Sequence, residues 1–552
     1  MQYAMLVPSR WCLLLISLIC LNCNCLANAK EFQNALYQTG VKVASPVSER
    51  TFFDTVIGVI LLIWYIVVIL LGYSGWVEIE RKFSQVKELP EEDLAKLEPV
   101  SILRPCKGVD SEMVACLESC INQDYPKHLF EVIFCVENST DSSIAIIQKI
   151  LAKYPDHNLS LLVGDKDYFG PNPKINNLSK GYRMAKYDIV WVLDSNVWCS
   201  PGTLARSVSS LTKSLDNGIR TSKPVVLTHH VPLGISINSE SVSGRLDEMF
   251  LFSSHAKFYV AFNYVSIAPC VNGKSNLYRR SNLEKAVQMI GDSTRHSGMF
   301  ENGNIQKFAR ETMHKRNDPS FFPNKITRVM FNQSNSHLIT EKISGAEQNK
   351  FHAIEFFSTY IGEDNMIGTA LWDMLQGRTG MTRDVVIQPL KFGSNDDSWH
   401  SYITRRVRWL RVRKYMVLAA TLLEPTTESI LIGTMGSFGL TRLLPGSVSF
   451  WKAFIIHMFL WCLSDWIQYR TLCQNTVNDN VMNRSSIFSD PGYTYPFFTP
   501  GLHPRSFTDW IGTWILRECL ALPVWINAMC GSVIQWRNRP FRIKPDLTAE
   551  EL

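Results

Sequence analysis

Between Thr55 and Leu71 the chain runs TVIGVILLIWYIVVILL without a single charge, and this stretch limits the possible fold more than any other feature. A helix of that length nearly crosses the ~30 Å hydrocarbon core of a bilayer, whereas the core helix of a soluble domain keeps a polar face. Phe52, Phe53 and Trp76 flank it where a membrane interface holds aromatics. Arg81 and Lys82 follow, while Arg50 on the near side is offset by Glu49 and Asp54, so charge bias puts the following domain in the cytosol. A transmembrane helix is therefore expected over 52–75, with a linker over 76–98.

Upstream, Arg10, the apolar run Trp11 to Leu21 and Ala27-Asn28-Ala29 give the three parts of a cleavable signal peptide over 1–29, leaving a short lumenal stub over 30–51. An uncleaved anchor is the alternative. Past residue 415 the sequence turns apolar again, in Met416 to Leu440, Ser449 to Ile467 and Trp510 to Ile534. Glu424, Pro425 and Glu428 interrupt the first, which reads as interfacial or re-entrant, because lipid cannot satisfy a broken backbone or a carboxylate. Asp465, Arg517 and Glu518 in the later segments face a bundle interior or substrate path, or pair with one another near an interface. Residues 416–536 are thus expected to be membrane-associated, and 537–552 to form a cytosolic basic tail.

Composition narrows the function. With 46 % apolar and 19 % charged residues among 552, most of the chain is ordered. The 56 Lys+Arg against 50 Asp+Glu leave a net charge of only +6 with no long basic block, so nucleic acid is not an expected partner. The 14 cysteines lack the spacing of a disulfide framework, and the CxxC at Cys20 to Cys23 lies in the leader, so reduced thiols and no zinc site are expected.

Residues 99–415 read as an α/β domain. Apolar runs at Pro99–Pro105, Phe130–Val136, Asn158–Gly164 and Tyr187–Leu193 alternate with helical patterns at Glu112–Asn122, Ile144–Tyr154 and Leu178–Lys186. Near-continuous apolar strands predict a mostly parallel sheet covered on both faces, with ligands beyond the strands' carboxyl ends. Asp141 and Asp194 both follow such ends. The polar, weakly periodic stretch over about 291–349 reads as an inserted surface loop.

No GxxxxGK[ST], HExxH, GxSxG or GxGxxG occurs, which removes the main supports for ATP-driven, zinc-protease and esterase chemistry. What remains is Asp141, Asp194, Glu363 and Asp364, followed by Arg405-Arg406-Val407-Arg408-Trp409. Carboxylates can hold a divalent cation on a diphosphate, and arginines can hold its oxygens. Each also has a structural alternative: a helix N-cap for the aspartates, a positive-inside anchor for the basic cluster.

In order along the chain stand PVSILRPCKGVD (Pro99 to Asp110), NPKINNLSKGY (Asn172 to Tyr182), YDIVWVLDS (Tyr187 to Ser195), Ser254-His255, GEDN (Gly362 to Asn365), RRVRW, WRNRPFR and TAEEL. This series resembles the inverting glycosyltransferases of the family-2 type, with their D, D, D, RxxRW pattern, and within them more closely the ceramide glucosyltransferases of family 21. The resemblance implies a GT-A-like, Rossmann-like nucleotide-sugar domain between N- and C-terminal transmembrane or interfacial helices. It implies glucose transfer from UDP-glucose to ceramide at the lipid bilayer of the Golgi or a nearby secretory membrane. It assigns Asp141 to the uridine, Asp194 to Mg²⁺ or Mn²⁺ on the diphosphate, and Asp364 to the general base. Lys174 is implied as a diphosphate or nucleotide contact, Arg405 and Arg408 as phosphate ligands, Trp409 as a wall of the acceptor site, and His255 as a substrate-site neighbour or a structural histidine. Asp194-Ser195-Asn196 departs from the D-x-D of many relatives by lacking the second carboxylate. Glu363 beside Asp364 would raise its pKa. Polysaccharide synthesis, transfer to a polyprenyl phosphate and a catalytically dead binding scaffold are the competing readings.

Overall fold

In the computed structural model the described residues are 49–552 without 86–87, 90–92, 94–95, 165–167, 214–222, 239–240, 294–298, 301, 315–325, 335, 344–350, 392–397, 479–493, 537–538 and 545–547. The expected signal peptide, and the lumenal stub as far as residue 48, lie outside them. The strands are β1 (Val100–Cys106), β2 (Phe130–Val136), β3 (Leu159–Gly164), β4 (Ile189–Leu193), β5 (Trp198–Cys199), β6 (Val225–Ser236), β7 (Ser275–Arg279), β8 (Ile326–Asn332), β9 (His337–Ile343) and β10 (Arg378–Leu390). They form one ten-stranded sheet in the order β5-β10-β6-β7-β4-β1-β2-β3-β8-β9.

The mostly parallel sheet expected from the sequence is corrected to a mixed one. The central β4-β1-β2-β3 run and β6-β10 are parallel. By contrast β7 runs antiparallel between β4 and β6, β8 and β9 add an antiparallel hairpin, and β5 closes the far edge antiparallel. Burial of both faces explains the unbroken apolar sequence of β4 and the near-continuous one of β2, which Glu131 alone interrupts. Alternation still sorts their side chains: Ile102, Val132 and Phe134 enter one core layer, Leu103, Ile133 and Cys135 the other.

Helices α2 (Met113–Ser119), α3 (Ser143–Lys153) and α5 (Thr203–Lys213) cover the first layer; α4 (Pro173–Met184), α8 (Arg280–Asp292), α9 (Gly303–His314) and α10 (Glu363–Leu375) cover the second. The stretch read as a surface loop over 291–349 is instead partly structured, holding α9 and the β8–β9 hairpin. Its polarity suits an edge hairpin whose outer strand is largely exposed.

A third cluster joins this domain to the apolar helices. Helix α1 spans Glu49–Phe83, so the region read as linker from 76 begins as helix, with Ile79 and Phe83 fully buried. Helix α6 (Val242–Phe250) passes through a π-turn at Leu251–His255 into α7 (Ala256–Val265). Helix α1 crosses α7 at Gly75, where a Cβ would lie 2.1 Å from the Lys257 carbonyl oxygen. Helix α11 (Trp399–Met416) leads through a short helix into a turn at Glu424–Thr427 that contains Pro425, then into α12 (Ser429–Leu443), α13 (Phe450–Asn475) and α14 (Phe507–Met529). Among the described residues two helices are long and apolar enough to cross a membrane, over Phe52–Phe83 and Phe450–Asn475. Arg517 and Glu518 in α14 are buried and bonded to each other at 2.6 Å, with Glu428 at the same distance from Arg517. The basic tail folds rather than trailing. Strands β11 (Val533–Trp536), β12 (Arg539–Ile543) and β13 (Ala549–Glu551) form a small antiparallel sheet, whose Ile534, Phe541 and Ile543 pack on Ile361 and Val412.

Candidate active site

The N-terminus of α4 shows why NPKINN has the residues it has. Asn172 caps the helix, its Oδ1 accepting from the amides of Lys174 at 2.9 Å and Ile175 at 3.2 Å, and Pro173 takes the first helical position, where no amide donor is needed. The other end of the Asn172 amide donates to the Tyr360 carbonyl at 2.7 Å and to Glu363 Oε2 at 2.9 Å, tying α4 to the start of α10. Asn177 donates to the carbonyls of Cys106 and Cys135, gripping the ends of β1 and β2.

That capping projects Lys174 into a cluster of carboxylates. Its Nζ lies 2.9 Å from Asp194 Oδ1, 3.1 Å from Glu363 Oε1 and 3.0 Å from the Gly273 carbonyl. Burial alone would depress this ammonium, but Asp194 and Glu363 more than reverse the effect and hold it well above the usual lysine range. On the other side of Asp194, Lys274 Nζ approaches Oδ2 at 3.3 Å. Burial would raise the Asp194 pKa; Lys174 and Lys274 outweigh that and keep it below the ordinary value.

Asp364 completes the group from the first turn of α10. Gly273 leaves it room, since a Cβ there would sit 3.2 Å from Asp364 Oδ2 and 3.3 Å from Lys174 Nζ. Desolvation and then the neighbouring Glu363 charge push Asp364 up to about 7, with Lys174 and the amides at the helix start pulling the other way. A carboxyl poised there can take a proton near neutral pH.

Asp141 follows β2, two strands along the sheet from β4 and Asp194. Its carboxylate accepts from the Gly108 amide at 3.0 Å, and from the Ser143 amide and hydroxyl at 2.8 and 2.7 Å. Burial would raise its pKa, but those donors outweigh it and hold the group low. Gly108, at φ +67°, turns the loop after β1 so that its amide reaches Asp141. Asp110 in the same loop accepts from the Ser195 hydroxyl at 3.2 Å. One loop thus joins the ends of β2 and β4.

The Arg/Trp helix divides its side chains. Arg405 is bonded to α6, with Nε 2.8 Å from Asp247 Oδ2 and a second bond to Ser243. Arg408 contributes positive charge near Asp247. Trp409 lines a small cavity with Asn272, Lys274, Val197 and Gln388, beside the Asp194 pair. Arg406 stacks over Phe250, its guanidinium carbon 3.3 Å from the ring centroid. Phe250 in turn meets His255, whose ring stacks on Tyr259 at 5.2 Å. Burial, aided by Arg406 and Arg413, pushes His255 down to about 3, so it is neutral.

The donor set does not fit the divalent cation expected at Asp194. Both carboxylate oxygens are paired with ammonium groups, residues 195 and 196 supply a hydroxyl and an amide, and Asn196 Oδ1 itself lies 3.5 Å from Lys274. Among the described residues no group of three or more His, Cys, Asp or Glu side chains is placed to hold a metal. The structure thus brings Lys174, Asp194, Glu363 and Asp364 together, places Asp141 and Trp409 at the margins, and holds Arg405 and His255 in neighbouring packing. Sequence reasoning assigned no role to Asn172 and Asp110, although both lie in quoted motif stretches, and missed Lys274 and Gly273, which sit in no pattern that announces chemistry.

The chain matches the glycosyl transferase family 21 profile over residues 62–287 and 349–549. It is 46 % identical to a ceramide glucosyltransferase of Komagataella phaffii across 90 % of this chain and 92 % of that one. A ceramide glucosyltransferase of Candida albicans is 40 % identical across 91 % and 99 % of the two chains, and one of Pyricularia oryzae 31 % across 89 % and 94 %. With matches of this extent falling on the sheet, the lysine–carboxylate crevice and the apolar helices alike, the chain belongs to the ceramide glucosyltransferases of glycosyl transferase family 21.

Proposed function

We propose that this chain transfers glucose from UDP-glucose to the primary hydroxyl of ceramide, with inversion, to give β-glucosylceramide. The catalytic domain, over 99–415, works at the cytosolic face of a Golgi or nearby secretory membrane, held there by α1 and the helices after 415. The observation that carries the reading is Asp364, a carboxyl raised to about 7 beside a lysine-bound aspartate at the strand ends. As general base it takes the hydroxyl proton while the acceptor oxygen attacks the anomeric carbon and UDP departs. No covalent enzyme nucleophile is needed for one displacement.

Lys174, fixed by Asn172 and its anionic partners, meets the diphosphate. Asp194 orients that lysine, and Asp141 with its braced loop borders the uridine. Arg408 lends positive charge, Trp409 walls the acceptor side, and His255 stands as a neutral, packed neighbour. A lipid acceptor accounts for a sugar-nucleotide domain packed between apolar helices.

The test is an assay of membranes expressing the chain with a short-chain ceramide and either UDP-glucose or UDP-galactose. Glucosylceramide that disappears in Asp364→Asn supports the reading. A sugar polymer or polyprenyl-linked glucose would sink the ceramide acceptor, and donor binding without turnover would favour a scaffold.

A further inference from the structure

Lys274 differs from Lys174 in having slack. Lys174 is surrounded by three acceptors at 2.9 to 3.1 Å. Lys274 reaches Asp194 at 3.3 Å and Asn196 at 3.5 Å, distances at the loose end of hydrogen bonding. Its backbone is fixed: the Asp194 amide donates to the Lys274 carbonyl at 3.1 Å, and Ser275, the next residue, pairs with Leu193 as β7 starts beside β4. The side chain beyond that fixed backbone is a four-carbon stem with rotatable bonds, and it lines a small cavity with Asn272, Gln388 and Trp409.

Charge balance points the same way. Each oxygen of the Asp194 carboxylate already faces an ammonium, Lys174 Nζ at 2.9 Å and Lys274 Nζ at 3.3 Å, so neither is a surplus anionic ligand for a dication. An ion at the usual oxygen contact of about 2.0–2.6 Å from Asp194 Oδ2 would press against the Lys274 ammonium. A lysine, by contrast, is an effective point-charge ligand for phosphate.

We propose that Lys274 binds an oxygen of the donor diphosphate and, in the position a divalent cation would take, stabilises the charge that gathers there as the sugar leaves. The inference rests on the nucleotide-sugar reading of this crevice. In the step it serves, the bond from the anomeric carbon to the acceptor oxygen forms and the bond from that carbon to the β-phosphate oxygen breaks. The electron pair stays on that phosphate oxygen, facing Lys274, while the acceptor proton goes to Asp364. Nothing is oxidised or reduced.

The test measures UDP binding to the purified full chain by calorimetry, once in EDTA and once with Mn²⁺. Wild type should bind UDP equally well in both, within about twofold. Lys274→Met should weaken UDP by about 10- to 100-fold in either buffer, the scale of a lost charge-assisted bond, and Lys274→Arg should recover most of that loss. Wild-type binding that vanishes in EDTA and returns with Mn²⁺ would overturn the proposal, as would Lys274→Met binding UDP like wild type. Should Lys274→Met fail to fold, the wild-type EDTA comparison and Lys274→Arg decide alone. Absence of UDP binding in both buffers would instead overturn the donor reading, and this inference with it.

Discussion

Glu363 and Asp364 are adjacent on the first turn of α10 yet meet different partners. The Glu363 carboxylate is bonded to Lys174 at 3.1 Å and Asn172 at 2.9 Å, and its charge helps lift Asp364 to about 7. A general base must be ionised, so turnover should rise with pH along a limb centred near 7 and fall below it. Glu363→Gln removes the neighbouring charge and should shift that limb downward by about one unit. A pH profile of kcat for both enzymes checks this; a limb that stays in place would remove Glu363 as its cause. The same shift has a sign for stability. Between about 4 and 7 the folded chain retains a proton that an unfolded aspartate has lost, so this group's contribution falls as pH rises through that window.

Arg405 and Asp247 form a part-buried pair at 2.6 Å between α11 and α6. Removing either partner breaks a part-buried charge-assisted bond while Ser243 still meets Arg405 and the Arg406 and Arg408 charges still face Asp247, so Arg405→Ala and Asp247→Ala should each cost about 1–2 kcal/mol of stability. The double variant should lose less than the sum, and UDP affinity should change little in Arg405→Ala. Thermal unfolding with a double-mutant cycle measures the coupling. A large loss of UDP affinity at unchanged stability would return Arg405 to the phosphate.

At Gly75 the backbone of α1 touches that of α7, and any side chain would collide with the Lys257 carbonyl. Gly75→Val should therefore separate the helices or strain them, at a cost of about 1–3 kcal/mol. Gly512→Ala in α14, where nothing lies within 4 Å, is the matched control and should unfold like wild type in detergent.

Gln468 of α13 donates to the Phe252 carbonyl at 2.5 Å and the Ser253 carbonyl at 2.9 Å, two groups whose helical partners the π-turn disturbs. Gln468→Leu leaves both buried oxygens without this donor. It should raise KM for ceramide more than KM for UDP-glucose, because these bonds tie the turn to the apolar helix α13. Steady-state kinetics with each substrate varied separate the two outcomes.

Strand β2 coincides with the largely apolar run Phe130–Val136 because both its faces are buried, its one charged residue, Glu131, accepting from the Ser101 hydroxyl. The antiparallel members were harder to read. Strand β7 carries Ser275 and Asn276, and β8 and β9 form an edge hairpin whose exposed faces look like loop. Among site residues, Asp194 and Asp364 stand in recognisable motifs, and Lys174 within NPKINN is placed by its cap. Lys274 in VNGKSN has no such signal, since its meaning comes from strand β7 lying beside β4 rather than from its neighbours in sequence. The bond from Arg405 to Asp247 was hidden for the same reason: helical spacing shows which side chains share a face, not which helix faces them.

At 1.5 Å per residue the 35 residues of α1 make a rod of about 52 Å, against a bilayer core of ~30 Å. Its last turns, with Glu78, Ile79, Lys82 and Phe83, are buried in protein. The α/β domain is thus mounted on a mast rather than hung from a tether: one unbroken helix carries the apolar stretch into the protein, so a displacement of either end is felt at the other.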